Sequence, residues 1–484
     1  MSSILINNIG YLYTLTNSCP LLDVDIYIEE NIITEIGKNL NYSADRIIDG
    51  RGKIALPGLI NTHHHFFQNV TRNIPIMQKG GLLRWLLFSY GLWNGLDERS
   101  IYAAARVSIA ELLLTGCTTS MDFMYFFPNN QPLLMDIVFE AASELGIRFH
   151  GFRGAMPIME GNLREQIFKY LGFDASLMVE SQKTILDTCD HTFRKYHDTN
   201  FGSMQRVGTG FTSIPYGMPD LMNELKALSD ANSGLLHTHL HPRPDEINTC
   251  MSLYGISPHQ WLEKIGWLDN TLSLAHCTRH KKNEIDILSR NNVNVTHSPS
   301  CHLRLGYPVA PIPEMQKVGI NVSLGVDGGS SNDSGDMLAE LRTTMYVHRI
   351  EGIHEDYSYQ NWMTPIDVFK MATVNGAKTL LRDDIGQIDV GKCADIILYN
   401  LDQISYGGAV ADPLGALVYC GSNHMVDVSI VNGKVVVYNK EIQFANEEEI
   451  INEANLAMNN LLSLVYKKTG INYQNENFDR EVKV

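Results

Sequence analysis

The chain has 484 residues, 44% hydrophobic and 19% charged, an ordinary globular mix with material for a large core. Its 38 Lys and Arg against 54 Asp and Glu leave a net charge of −16, which disfavours nucleic acid and anionic membrane surfaces as partners. The 8 cysteines are scattered without a CxxC pair, and the N-terminus lacks a basic segment followed by a long apolar run. With no apolar stretch near the ~18 residues of a membrane span, the chain reads as soluble, cytoplasmic and rich in reduced thiols.

Residues 1–56 read as short strands. Ile4, Leu5 and Ile6 open one, residues 24–28 alternate, and Asn31-Ile32-Ile33 starts another, with turns at Asn7-Asn8 and Asp49-Gly50. Residues 57–380 then alternate strand-like and helix-like segments. Strand candidates end at His63, Met124, Arg153, Ser213, His239, Cys277, Pro299 and Gly328. The clearest helix starts after Asp97, an N-cap, and runs to Gly116. Eight strands alternating with helices predict a closed parallel (β/α)8 barrel. A doubly wound open sheet is the alternative, but no GxGxxG follows the first strand. Residues 381–440 return to strands, with Asn432-Gly433 as a hairpin turn. Together, 1–56 and 381–440 predict one small β-domain assembled from both ends. Residues 441–484 read as a polar helical tail.

Four motifs carry chemistry. Pro57 to His65 ends the first barrel strand, and strand alternation puts His63 and His65 on one face while His64 points away. Leu235-Leu236-His237-Thr238-His239 ends the fifth, with His237 one layer deeper than His239. Leu274-Ala275-His276-Cys277 ends the sixth. Asp327 follows an apolar run and precedes Gly328-Gly329-Ser330-Ser331 at the eighth. Each motif alone fits a polar loop or a core histidine. All four, however, fall at C-terminal strand ends, where barrel enzymes build active sites. His63, His65, His239 and Asp327 form a ligand set for one divalent metal, zinc first and iron second. His276 converges on the same point as a group that orients or polarises water. The fourth strand, residues 206–213, has no lysine or acid to bridge a second metal.

The runs PGLINTHHHFFQ, HTHL, AHC and GVDGGSSNDS, in that order, resemble the amidohydrolase superfamily. They are most similar to its cytosine/guanine/triazine deaminase branch, near the members that process 8-oxoguanine, pterins and triazines. Leu83-Arg84-Trp85-Leu86, Arg148-Phe149-His150 with Arg153, and residues 412–418 extend the likeness over residues 2–440. The resemblance implies a barrel capped by a β-sandwich from both termini. It places metal ligands at His63, His65, His239 and Asp327, catalytic roles at His276 and Asp327, and substrate contacts at Gln68 and Ser331. One position departs. The branch carries a proton-shuttling glutamate three residues after the fifth-strand histidine, and Pro242 stands there. His241, Asp245 and Glu246 are the nearest replacements, with His241 favoured as a neutral-pH donor; Asp327 alone is the remaining option.

The expected activity is hydrolytic deamination of an amino-substituted nitrogen heteroaromatic ring, purine- or pterin-like, with Trp85 placed to stack on it. Hydrolysis of another C–N bond, in a triazine or a cyclic amide, and a silent heterocycle-binding metalloprotein are the alternatives. The superfamily also implies a homodimer.

Overall fold

The computed structural model describes residues 2–159, 162–241, 243–354, 358–421 and 424–475. Eight parallel strands make the barrel: β1 Leu59–Asn61, β2 Cys117–Met124, β3 Arg148–Ala155, β4 Gln205–Phe211, β5 Leu235–Leu240, β6 Leu272–His276, β7 Asn294–His297 and β8 Val322–Leu324. Each pairs with its sequence neighbour. The seam between β1 and β8 is closed by Thr62 N donating to Leu324 O at 3.0 Å and Asp327 N to His63 O at 2.9 Å. The predicted end at Met124 coincides with the observed one, and those at His239 and Cys277 differ by one residue. β8 ends at Leu324, before the predicted Gly328; past it Val326 N bonds the Asn61 side chain, and Asp327 takes a left-handed backbone (φ 64°). Strands β2 and β3 are buried along their whole length, as a sheet wrapped by helices requires.

The helix Glu98–Leu114 starts where its cap predicts. The Asp97 carboxylate accepts from Ser100 N at 2.9 Å, and Ser100 Oγ accepts from Asp97 N at 2.7 Å. Gly116, at φ 94°, then turns the chain into β2.

Both termini build one nine-stranded sheet with its own core, including Ile6, Ile9, Ile26, Ile396 and Leu398. Its two halves join where Ile396–Asn400 pairs antiparallel with Lys53–Pro57. Asn432 (φ 48°) and Gly433 (φ 75°) make the hairpin turn, with the two positive φ values a type I′ turn needs. A last helix, Glu447–Thr469, ties back to the barrel through Glu453, 2.5 Å from Arg106. Among the described residues no helix is long and apolar enough to cross a membrane.

One buried ion pair links the two sheets. Arg148, on β3, places Nη2 2.8 Å from Asp395 Oδ2 and donates through Nη1 to Gly202 O at 2.9 Å. Asp395 Oδ1 in turn accepts from Asn432 N at 3.0 Å. Removing one partner strands the other charge in the interior. Asp395→Ala should therefore cost about 3–5 kcal/mol in urea unfolding. The double variant with Arg148→Met should cost less than the sum of the single ones.

Candidate active site

The barrel brings the sequence-predicted cluster together at the C-terminal strand ends. His63 and His65 follow β1, His239 lies on β5, His276 ends β6, and Asp327 follows β8. His63 Nε2 and His65 Nε2 each lie 3.5 Å from Asp327 Oδ1, and His276 Nε2 lies 3.9 Å from Asp327 Oδ2. His65 Nε2 and His239 Nε2 are 3.2 Å apart. His63, His65 and Asp327 present ligand atoms within 4.8 Å of one another, as do His63, His239 and His276. His64 turns aside, and its Nδ1 accepts from His65 N at 2.8 Å.

Hydrogen bonds behind the rings set their tautomers. His65 Nδ1 donates to Phe123 O, and His239 Nδ1 to Thr212 O, both at 2.7 Å. Their Nε2 atoms therefore carry lone pairs. His237, one layer deeper, bridges His63 Nδ1 at 2.9 Å and Ser273 Oγ at 2.6 Å. With the hydroxyl accepting, His63 Nδ1 donates, and its Nε2 is a buried lone pair with no partner. Three imidazole lone pairs and a carboxylate facing one another repel unless a cation sits among them. Nitrogen and oxygen donors in this number suit zinc. Cys301 is near enough to join the group, but burial and the Asp327 charge keep its thiol protonated.

Burial opposes ionisation of Asp327, yet contact with His63, His276 and His65 outweighs it and holds the carboxyl well below its usual range. Burial holds His65, His237 and His276 far below 6.5 and His239 down at about 4, with charge repulsion from their neighbours adding to it. The backbone is unusual here too. His276 (φ 78°), Cys277 (φ 49°) and Asp327 (φ 64°) all adopt the left-handed region, a strain of about 1–3 kcal/mol each that concentrates at functional sites.

A pocket of about 570 Å³ of empty space opens over the cluster. Gln68 and Ser331 line it, as the sequence predicts, and so do Trp85, Tyr90 and Tyr125. Ser330 Oγ donates to Gln68 Oε1 at 3.1 Å, while Ser331 Oγ donates to Gly328 O at 2.9 Å. A Cβ at Gly328 would collide with Gln68 Oε1. Trp85 donates its indole N–H to Ser330 O at 3.0 Å, so its ring is locked in the wall.

Pro242 lies outside the described residues. Of its candidate replacements, His241 and Glu246 line the pocket and Asp245 does not. Asp245 is half-exposed and paired with Arg243 at 2.9 Å. His241 stacks on His276 at 4.1 Å and on Tyr307 at 4.7 Å, and burial holds it neutral, well below 6.5. That makes it a wall and a poor acid, contrary to the preference for His241 drawn from sequence. Glu246 sits in the first turn of helix Pro244–Tyr254, with Ser213 Oγ 3.5 Å from its Oε1. Sequence reasoning missed Arg243 and Tyr307 in the wall and His302 behind His276. For His302 the run Ser298-Pro299-Ser300-Cys301-His302 after β7 was the one visible signal.

His65, His237, His239 and His276 predict an acid response. Each is held below 6.5 in the fold and titrates near 6.5 when unfolded, so its contribution is complete above 6.5 and is lost as pH falls toward its folded value. Each costs about 1.4 kcal/mol per pH unit across that window. The urea midpoint of metal-free protein should drop steeply from pH 6.5 to 4; a flat profile would contradict the neutral assignment.

Residues 54–436 match the model of the amidohydrolase family. The chain is 32% identical to an 8-oxoguanine deaminase of Pseudomonas aeruginosa over 78% of this chain and 80% of that one. It is also 32% identical to a hydroxydechloroatrazine ethylaminohydrolase of Pseudomonas sp. (strain ADP), covering 89% and 90%. Among solved structures, an atrazine chlorohydrolase from Arthrobacter aurescens TC1 complexed with zinc superposes with a TM-score of 0.86 at 32% identity, covering 94% of this chain and 100% of that one. With the barrel, the ligand cluster and these matches agreeing, the chain belongs to the amidohydrolase family.

Proposed function

We propose that the protein is a hydrolase of C–N bonds that removes an exocyclic amino group, as ammonia, from a nitrogen heteroaromatic ring of purine or pterin type. The observation that carries this is the convergence of His63, His65, His239, His276 and Asp327 beneath a pocket walled by Trp85, Tyr90 and Tyr125. Relatives named as deaminases of 8-oxoguanine and isoxanthopterin support the ring class. The zinc named with the triazine-hydrolysing neighbour supports the metal.

His63, His65, His239 and Asp327 would hold one divalent ion, zinc in this reading. Such an ion brings the pKa of a coordinated water toward ~7 and polarises oxygen. The protein's own groups do the rest. Asp327 accepts a proton from the attacking water and returns it to the departing ammonia. His276 points Nε2 at the reacting oxygen, because its Nδ1 is engaged by His302 Nε2 at 3.2 Å; it thus donates as negative charge builds there. Gln68 and Ser331 contact the ring edge. Glu246 takes the place of the family's missing glutamate and handles the proton at a ring nitrogen. In the first turn of its helix and lining the pocket, it is placed to meet a ring N–H, as oxo-substituted purines and pterins present. The protein works in the cytoplasm on a small-molecule substrate, as a homodimer.

Two experiments test this reading. Purified protein should hold about one zinc per chain. His63→Ala with His65→Ala should lose both metal and activity, whereas His276→Asn should keep the metal and lose turnover by about 10²-fold or more. Full metal occupancy in the double histidine variant would refute the ligand assignment. On a panel of aminopurines and pterins scored by ammonia release, Glu246→Gln should lower kcat by about 10²–10⁴-fold with metal retained, and Asp245→Ala should stay near wild type. Normal kcat in Glu246→Gln would return the proton to Asp327.

A further inference from the structure

Behind His276, four more histidines and a glutamate run in single file to the molecular surface. His276 Nδ1 is 3.2 Å from His302 Nε2, and the His302 ring lies 5.5 Å, centre to centre, from His297. His297 Nε2 is 3.2 Å from His348 Nε2, and His348 Nδ1 is 2.8 Å from His354 Nε2. His354 Nδ1 ends the file 3.1 Å from Glu314 Oε1, on a side chain that is 32% exposed. His302, His297 and His348 are buried.

The file draws on three separate stretches of chain, residues 297–302, 314 and 348–354. His297 ends β7, His302 lies in helix Pro299–Leu305, His348 caps helix Met337–Val347, and Glu314 lies in helix Ile312–Lys317. The nitrogens link in series and do not converge on one point, which suits passing a proton and not holding a cation. The one interval without a direct bond is also chemically defined. His302 and His297 each have a second ring nitrogen, Nδ1, buried without a partner, and so is Ser298 Oγ on the next residue. Two or three such groups are what one bridging water needs.

We propose that this file is a proton inlet that serves the active site from the side opposite to substrate binding in the hydrogen-bond network, through His276. Its use in catalysis rests on the hydrolytic reading above; its existence does not. A proton arriving at the Glu314 carboxyl passes to His354 Nδ1 as His354 gives up the proton on Nε2 to His348 Nδ1. His348 releases its Nε2 proton to His297 Nε2, and His297 releases its Nδ1 proton through the water to His302 Nδ1. His302 then gives its Nε2 proton to His276 Nδ1, and His276 releases one from Nε2 into the site. Every ring accepts one proton and loses one, ending as the other tautomer, and ring rotation resets it. Water supplies both protons needed to release neutral ammonia; where the product departs as ammonium, one further proton per turnover is taken up, and the file can deliver it while substrate fills the pocket mouth.

The test is made on zinc-loaded full-length protein with ¹⁵N-labelled histidine, before any substrate is used. Exchange of the His302 and His297 ring N–H with solvent should be slower by about tenfold or more in His348→Gln, falling to the rate of local opening. Glutamine keeps a hydrogen bond there but cannot relay. Zinc content should be unchanged, and His191→Gln, at a distant surface pair with Asp136, should leave the exchange as it is. If His348→Gln fails to fold, His354→Gln in the following loop gives the same reading. Unchanged exchange at both rings in a folded variant overturns the inlet. On a substrate found by the panel, kcat should fall in His348→Gln with KM unchanged and recover with added imidazole. Slow exchange with no substrate turned over would fault the deaminase reading and leave the inlet standing.

Discussion

The hydrogen bond from Asp327 N to His63 O, at 2.9 Å, closes the barrel and sets the spacing of the site in one contact. β1 and β8 are only three residues long each, so the seam has few ladder bonds to define its register. Extra contacts pin it. Asn61 Oδ1 accepts from Val326 N at 3.0 Å, and Leu324 O accepts from Thr62 N at 3.0 Å and from Thr62 Oγ1 at 2.9 Å. A slip of one residue along β1 would exchange inward and outward faces. His64 would then enter the cluster while His63 and His65 left it. The left-handed turn at Asp327 is the local cost of this closure, and Gly328 N, donating to Asp327 Oδ1 at 2.6 Å, holds the carboxylate once the turn is made.

That geometry concentrates lone pairs. Burial alone makes neutral imidazoles cheap, since the charged form is what a low dielectric penalises. Neutral imidazoles still need partners for both ring nitrogens, and at His63 the fold supplies only one, leaving Nε2 buried without a partner. Phe123 O, at the end of β2, and Thr212 O, just past β4, take the Nδ1 protons of His65 and His239. Neighbouring strands thereby aim the Nε2 atoms inward. The stability given up by leaving those atoms unpaired is recovered when a cation binds, and so metal affinity and the fold's acid sensitivity have the same source.

Strand alternation made His63, His65 and His239 legible in the sequence, because side-chain direction along a strand depends on nothing but parity. The eight strands were legible through their apolar runs, and Asp97 through its cap. What the sequence hid depended on long-range packing. His302, five residues past the end of β7, reads as one more polar residue in a short helix until β6 places His276 against it. Helix geometry likewise swings Glu246 over the pocket and turns Asp245, its immediate neighbour, toward solvent and Arg243. No periodicity in Pro244-Asp245-Glu246 distinguishes the two. The preference for His241 weakens for a related reason. In water imidazole is readily protonated near neutrality, but buried and stacked between His276 and Tyr307 its charged form is disfavoured.

A glutamate on a strand exit and a glutamate on a helix turn are not equivalent acids. Glu246 receives Arg243 N at 3.4 Å, and the Arg243 guanidinium lies 4.0 Å away. Both contacts, and the helix end, face the carboxylate with donors or positive charge. In the proposed reaction Glu246 exchanges a proton with the ring, and the proton traffic at the leaving group falls to other groups. Asp327 would recycle the proton of the attacking water, and the imidazole file behind His276 is the chain of hydrogen-bonding groups that, among the described residues, leads on from His276. In the proposed reaction the two features divide the work: Glu246 would hold the substrate's ring proton from the pocket side, and the file behind His276 would supply protons from the opposite side.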